Sequence, residues 1–161
     1  MLHFGLRPPF SYPEFLHKCA GLIPDNDLIL LKELPGFKED ILGKSSPVIR
    51  KWIAWDWTLR DELVKLRASR KHIPAQRDLR KDGFSDLSLS HVAANAFRNP
   101  SILEGERILD LARWEALEEF SQGHYFDLDF LIIYAYKLLI LERWERIRVS
   151  DKKELLEGAL S

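Results

Sequence analysis

Cysteine is almost absent from this sequence, since Cys19 is the single one among 161 residues. An internal disulfide is therefore excluded, and a reducing compartment is indicated. No histidine and asparagine pattern marks Cys19 as a nucleophile, so we predict that it packs in the core. Neither basic nor acidic residues are in large excess. With 24 basic and 25 acidic residues, the net charge of −1 gives no overall attraction to nucleic acid or anionic lipid.

A hydrophobic run long enough to span a membrane is also missing. The longest candidate, residues 126–141, is shorter than the ~20 residues that a spanning helix needs. It also contains Asp127, Asp129 and Lys137. We predict a buried helix there instead. Because the chain also starts without a basic and apolar leader, we predict a cytoplasmic protein.

Helix start and stop signals are frequent, whereas strand-like alternation of useful length is absent. Ser11 and Glu14 have capping-box spacing, which predicts a first helix that ends near Gly21. A second helix is predicted from Pro24 until Pro35-Gly36 stops it.

Ser46 followed by Pro47 predicts the start of the longest helix, with a serine cap and a proline in the first turn. Apolar residues then recur in steps of three and four up to about Lys71, at Val48, Trp52, Trp55, Leu59, Leu63 and Leu66. This spacing predicts one long amphipathic helix. Pro74 and Asp82-Gly83 separate it from a shorter helix, which starts at Ser85 or Asp86 and closes at Asn99-Pro100.

The last third of the chain, residues 99–148, predicts two helices joined by a turn at Gln122-Gly123-His124. The second is apolar on nearly every face and must be buried. A charged tail over residues 149–161 is predicted to form a loose last turn. The expected fold is all-α: a single helical domain over residues 1–161, an irregular bundle with a long amphipathic helix and a C-terminal helical hairpin.

Four residues are predicted to fix the register of that hairpin. They are Arg113, Trp114, Glu142 and Trp144. Charges beside an apolar helix should be paired, so we predict an ion pair between Arg113 and Glu142.

Charge is unevenly distributed despite the neutral total. Residues 50–81 carry a net charge of +6, and the chain from Glu104 onward carries −5. Basic residues interleaved with tryptophans are typical of nucleic-acid surfaces. However, Trp52 and Trp55 share the apolar stripe, so either a solvated face or a surface that docks on an acidic protein is favoured. The opposite charges of the two regions can equally hold segments of the domain together. The candidate partner-binding residues are Trp57, Arg60, Arg67, Arg70 and Lys71.

Few residue patterns in the sequence indicate metal binding or catalysis. One Glu-x-x-His pair exists, Glu14 and His17, whereas a di-iron bundle needs two such pairs on inward faces. No phosphate-binding loop, dinucleotide fingerprint or zinc-ligand spacing is present, and no nucleophile–base–orienter set stands out. We therefore expect no metal, no cofactor and no catalytic activity.

Four segments together resemble a bacterial family of uncharacterised proteins encoded in operons for V/A-type ATP synthases. They are PPFSYPEFL at 8–16, WDWTLRDELVKLRASR at 55–70, NPSILEGERILDLARWEAL at 99–117 and GHYFDLDFLIIYAYKLLILERW at 123–144. That family is distantly similar to the helical C (or d) subunit, which joins the rotor shaft to the membrane ring. The resemblance implies a non-catalytic component whose partners are other V/A-type ATPase subunits. It also implies that a short aromatic segment precedes residue 1.

Overall fold

A computed structural model describes residues 1–36, 46–71 and 87–160, with side chains described as far as residue 153. Its helices are α1 (Tyr12–Cys19), α2 (Asp25–Glu33), α3 (Pro47–Lys71), α4 (Leu87–Arg98), α5 (Ile102–Phe120) and α6 (Leu128–Leu160). A short 3-10 turn, Leu34–Gly36, follows α2. Every regular element in the described ranges is a helix, which confirms the all-α prediction.

Some of the predicted features fall outside the described residues. These are the breaks at Pro74 and Asp82-Gly83, and the helix start at Ser85 or Asp86. The basic residues beyond Lys71 in the 50–81 segment lie outside as well.

The chain forms two compact units, whereas we predict one domain from the sequence. The terminal unit combines Met1–Ser45 with Leu117–Ser161, and the central unit is Ser46–Ala116. The terminal unit is discontinuous in sequence because it joins both ends of the chain.

In the terminal unit, α1 begins as its sequence predicts. The Ser11 hydroxyl accepts a hydrogen bond from the Glu14 amide at 3.3 Å, and the Glu14 carboxylate accepts one from the Ser11 amide at 2.7 Å. Two backbone donors that the first helical turn leaves free are thereby satisfied. The predicted capping box is confirmed.

Aromatic rings and one buried hydroxyl hold α1 in the terminal unit. The Phe15 ring stacks on Tyr134 of α6, with ring centres 5.4 Å apart. The Tyr12 hydroxyl donates to the Leu31 carbonyl of α2 at 2.6 Å, and burial raises the pKa of this phenol. Cys19, at the end of α1, is buried as predicted, and burial raises the pKa of its thiol.

In the central unit, α3 presents its apolar stripe to α4 and α5. The buried cluster contains Leu59, Leu63, Leu89, Ala93, Ala96 and Leu109, with Trp55 and Leu66 packed against it. The predicted stripe of the long amphipathic helix is confirmed. Ser46 also caps this helix, since its hydroxyl accepts from the Ile49 amide at 3.2 Å.

A close approach of backbones joins α4 to α5 in the central unit. A Cβ atom added at Gly105, in the first turns of α5, would lie 2.7 Å from the carbonyl oxygen of Ala96. Only glycine fits this position without a shift of the backbone. Leu109, one turn further along α5, can therefore reach the buried cluster.

Helix α6 departs from the prediction at both ends. It begins at Leu128, and Phe126, which we predicted to lie in the buried helix, is fully exposed before it. The reason is Asp127, whose carboxylate accepts from the Phe130 amide at 2.9 Å and so caps the helix there. At the other end, the tail predicted as a loose turn is helical to Leu160. Its Lys, Glu, Leu and Ala residues are strong helix formers.

The apolar part of α6 thus belongs to a helix of 33 residues, longer than the segment that we predicted. Among residues 1–36, 46–71 and 87–160, no helix combines the length and apolar character that crossing a bilayer requires.

Candidate partner-binding surface

The C-terminal half of α3 carries the cations predicted to bind a partner. Leu59 and Leu63 fix this half on the central unit by burial in its cluster. Four basic side chains, which we call the basic end of α3, are exposed: Arg60, Arg67, Arg70 and Lys71. Eleven helical steps separate the first from the last, a distance of about 16 Å at 1.5 Å per residue. The structure brings the predicted cations together on one helix.

Two of these cations have partners within the central unit. The Arg60 guanidinium lies 2.7 Å from the Asp56 carboxylate, although its side chain is 66% exposed. Arg70 lies over the Phe97 ring of α4, 6.0 Å from the ring centre. Arg70 and Lys71 also occupy the last turn of α3, where positive charge interacts favourably with the helix dipole.

The tryptophans of α3 divide between the core and intermediate positions. Trp52 is buried, and it stacks on Trp55 with ring centres 5.8 Å apart and planes 9° apart. These two rings belong to the packing of the unit, as predicted. Trp57, which we predicted as an exposed contact, is partly buried and makes interactions of its own.

Arg113, which is partly buried, is at the centre of an ion cluster with two buried aspartates in the central unit. Its guanidinium donates to Asp56 of α3 at 2.9 Å and to Asp110 of α5 at 2.8 Å. Burial alone would lower the pKa of Arg113, but the two carboxylates raise it above its ordinary value. The guanidinium is therefore held in its charged form, and it joins α3 to α5.

Glu142 caps a helix start from a distance of 130 residues. Its carboxylate accepts from the Tyr12 amide at 2.7 Å, so α6 satisfies a free donor at the first position of α1. Negative charge at a helix N-terminus is also favoured by the helix dipole.

The predicted Arg113–Glu142 pairing is therefore wrong in its partners. Each charge is satisfied inside its own unit, Arg113 by aspartates and Glu142 by a backbone amide. Trp114 is buried in the central unit, and Trp144 is partly buried in the terminal unit.

The Glu14 and His17 pair has a structural explanation. Glu14 bonds Ser11 in the capping box, and those bonds, led by the Ser11 amide, lower the pKa of its carboxyl. In the part of the chain that the structure describes, no three His, Cys, Asp or Glu side chains are grouped so that they could hold a metal ion.

Sequence reasoning missed an exposed aromatic group at the start of α6. Tyr125 is 69% exposed, and Phe126 is fully exposed. A usable signal was present, because Asp127 is a strong helix-cap residue and places the residues before it outside the helix.

The helices and the surface define an all-α protein with a basic helix end. Residues 72–157 match the model of a family described as "Protein of unknown function (DUF2764)", and the chain belongs to that family. Neither the curated proteins nor the solved structures contain a match to the chain.

Proposed function

We propose that this protein is a non-catalytic component of a bacterial V/A-type ATPase, as a subunit or an assembly factor. It works in the cytoplasm through contacts with other subunits, at the inner face of the membrane, and neither binds nor hydrolyses nucleotide.

The assignment to this ATPase is supported by the sequence resemblance. Its four segments run from Pro8 to Trp144 in an order shared with the family encoded beside V/A-type ATP synthases. The distant similarity of that family to the helical C (or d) subunit favours a role in joining subunits.

The proposal that this protein binds other subunits is supported mainly by the exposed cations at the basic end of α3. Arg67 and Lys71 are one turn apart, and both are exposed on a helix that the core holds in place. Fixed surface cations steer an acidic partner and set its orientation more than they add affinity. An acidic protein surface therefore fits this end of α3.

Nucleic acid is the alternative ligand for the same cations. Arg60, Arg67, Arg70 and Lys71 would then contact phosphates, and binding would fall steeply as salt is raised. The burial of Trp52 weakens this alternative, because a buried ring cannot stack on a base. A gel shift over a series of salt concentrations tests it.

Affinity purification from the native cell tests the main proposal. We expect the wild-type chain to retrieve V/A-type ATPase subunits, and the double charge reversal Arg67→Glu with Lys71→Glu to retrieve much less. Lys51→Glu is the matched control, because Lys51 is an exposed cation at the other end of α3. Retrieval without any ATPase subunit would overturn the assignment, and equal loss in the Lys51 control would overturn the role of the basic end.

A further inference from the structure

Three exposed aromatic side chains lie at the start of α6, two of them in the turn before the helix and one in its first turn. Phe126 is fully exposed, Tyr125 is 69% exposed and Phe130 is 38% exposed. We call these three residues the aromatic tip. Exposed aromatic rings that lie this close together in sequence are candidates for an interaction site.

Hydrogen bonds fix the backbone beneath the aromatic tip. Gly123 adopts a φ of 87°, which favours glycine, and the His124 amide donates to the Ser121 carbonyl at 3.0 Å. His124 Nδ1 lies 2.6 Å from Asp127, whose other oxygen accepts from the Phe130 amide. A site fixed before binding loses less conformational entropy when a partner docks.

The helix start does not account for the position of Phe126. This residue directly precedes the cap Asp127, where an apolar side chain often packs back on the first turns of the helix. Full exposure shows that Phe126 makes no such contact. The ring is therefore available to a partner. Rigid aromatic residues supply much of the binding energy where they fill a pocket at an interface.

The charges beside the tip are acidic. No lysine or arginine occurs between Arg113 and Lys137, whereas Glu118, Glu119 and Asp127 are exposed on the terminal unit around the turn. Lys137 lies 3.3 Å from Glu118 and offsets part of that charge. Anionic lipid and nucleic acid would be repelled, whereas a basic surface would be attracted.

We infer that the aromatic tip docks in an apolar pocket of a protein partner, with Phe126 inserted and lysine or arginine residues around the rim. This inference deepens the proposed function and rests on it for the contact role, and it adds a second surface with charge opposite to the basic end of α3.

Site-specific photocrosslinking in intact cells tests the inference. The probe is the full chain with p-benzoylphenylalanine in place of Phe126, and the same group at Arg146, an exposed position of α6, is the control. We expect an adduct from position 126 alone, on a protein residue inside an apolar pocket bordered by Lys or Arg. An adduct to lipid, to a second copy of this chain or to an acidic surface would overturn the inference, and so would the absence of any adduct.

The quantitative test measures the affinity of this chain for the partner that the crosslink identifies, purified without the crosslink. Phe126→Ala should weaken binding about tenfold or more, as expected for an aromatic that fills a pocket. Glu119→Lys should weaken it less and should reduce its dependence on salt. Because Phe126 is fully exposed, the thermal midpoint of Phe126→Ala should equal that of the wild type. Unchanged binding by a folded Phe126→Ala chain would overturn the inference.

The two proposals can fail separately. If Phe126→Ala retrieves ATPase subunits as well as the wild type does, the inference about the aromatic tip is overturned and the proposed function stands. If the adduct lies in an apolar pocket bordered by Lys or Arg on a protein that is not an ATPase subunit, the inference about the aromatic tip is supported and the ATPase assignment is overturned.

Discussion

The central and terminal units use charged side chains in different ways. In the central unit, the partly buried guanidinium of Arg113 bonds two buried carboxylates, those of Asp56 and Asp110. In the terminal unit, carboxylates lie at helix starts, where Glu14, Asp127 and Glu142 accept from backbone amides. Removal of one member of a buried ion cluster leaves charges without a partner, whereas loss of a cap returns one donor to water. The central unit should therefore be far more sensitive to substitution of a single charge.

Arg113→Met should have the largest effect. It removes the cation that the buried Asp56 and Asp110 share and leaves Asp56 with the exposed Arg60 alone, which we expect to lower the free energy of unfolding by about 3–5 kcal/mol. Urea unfolding followed by circular dichroism measures this loss. Arg60→Met is the control, because Arg60 bonds the same Asp56 from an exposed position and should cost at most about 1 kcal/mol. Equal losses in the two variants would contradict the contrast between the units.

Glu142→Ala should have an intermediate effect. It removes the acceptor for the Tyr12 amide and should lower the free energy of unfolding by about 1–2 kcal/mol. Glu142→Gln keeps an oxygen acceptor without the negative charge, so its loss should be smaller. Amide hydrogen exchange at Tyr12 should become faster in the alanine variant, and unchanged exchange would show that the cap from α6 contributes nothing to α1.

Ser11→Ala should have the smallest effect. The Ser11 hydroxyl bonds the Glu14 amide, and loss of such a cap costs about 1 kcal/mol. The Ser11 amide, and after it the Ser11 hydroxyl, which donates to the Glu14 carboxylate at 2.9 Å, also lower the pKa of Glu14 in the folded chain, and the alanine variant loses only the hydroxyl bond. Their contribution is therefore present above the unfolded carboxyl pKa of about 4.3 and is lost as the pH falls through the lower folded value. An NMR titration should show a higher pKa for Glu14 in Ser11→Ala, and an unchanged pKa would contradict this explanation.

Local spacing predicted the parts of the fold that depend on neighbours in sequence. Ser11 and Glu14 are three residues apart, and Ser46 and Pro47 are adjacent, so these helix starts could be read directly. The apolar stripe of α3 was equally clear, because its period alone places Leu59 and Leu63 on one face.

Contacts between residues that are far apart in sequence could not be predicted from local spacing. Tyr12 and Glu142 are 130 residues apart, and no pattern in one sequence joins an amide to a carboxylate over that distance. For Arg113, the i−3 spacing of Asp110 was a usable signal, whereas Asp56 was not accessible to such reasoning. The exposure of Phe126 was missed because hydrophobicity was weighed above the helix-cap preference of Asp127.

The residue type at position 105 limits how closely α4 and α5 can approach each other. The carbonyl oxygen of Ala96 occupies the place where a Cβ atom would otherwise stand. Any homologous chain that carries a larger residue here must hold its two helices further apart or bend one of them. The identity of this single residue therefore indicates which members of the family can share this backbone arrangement unchanged.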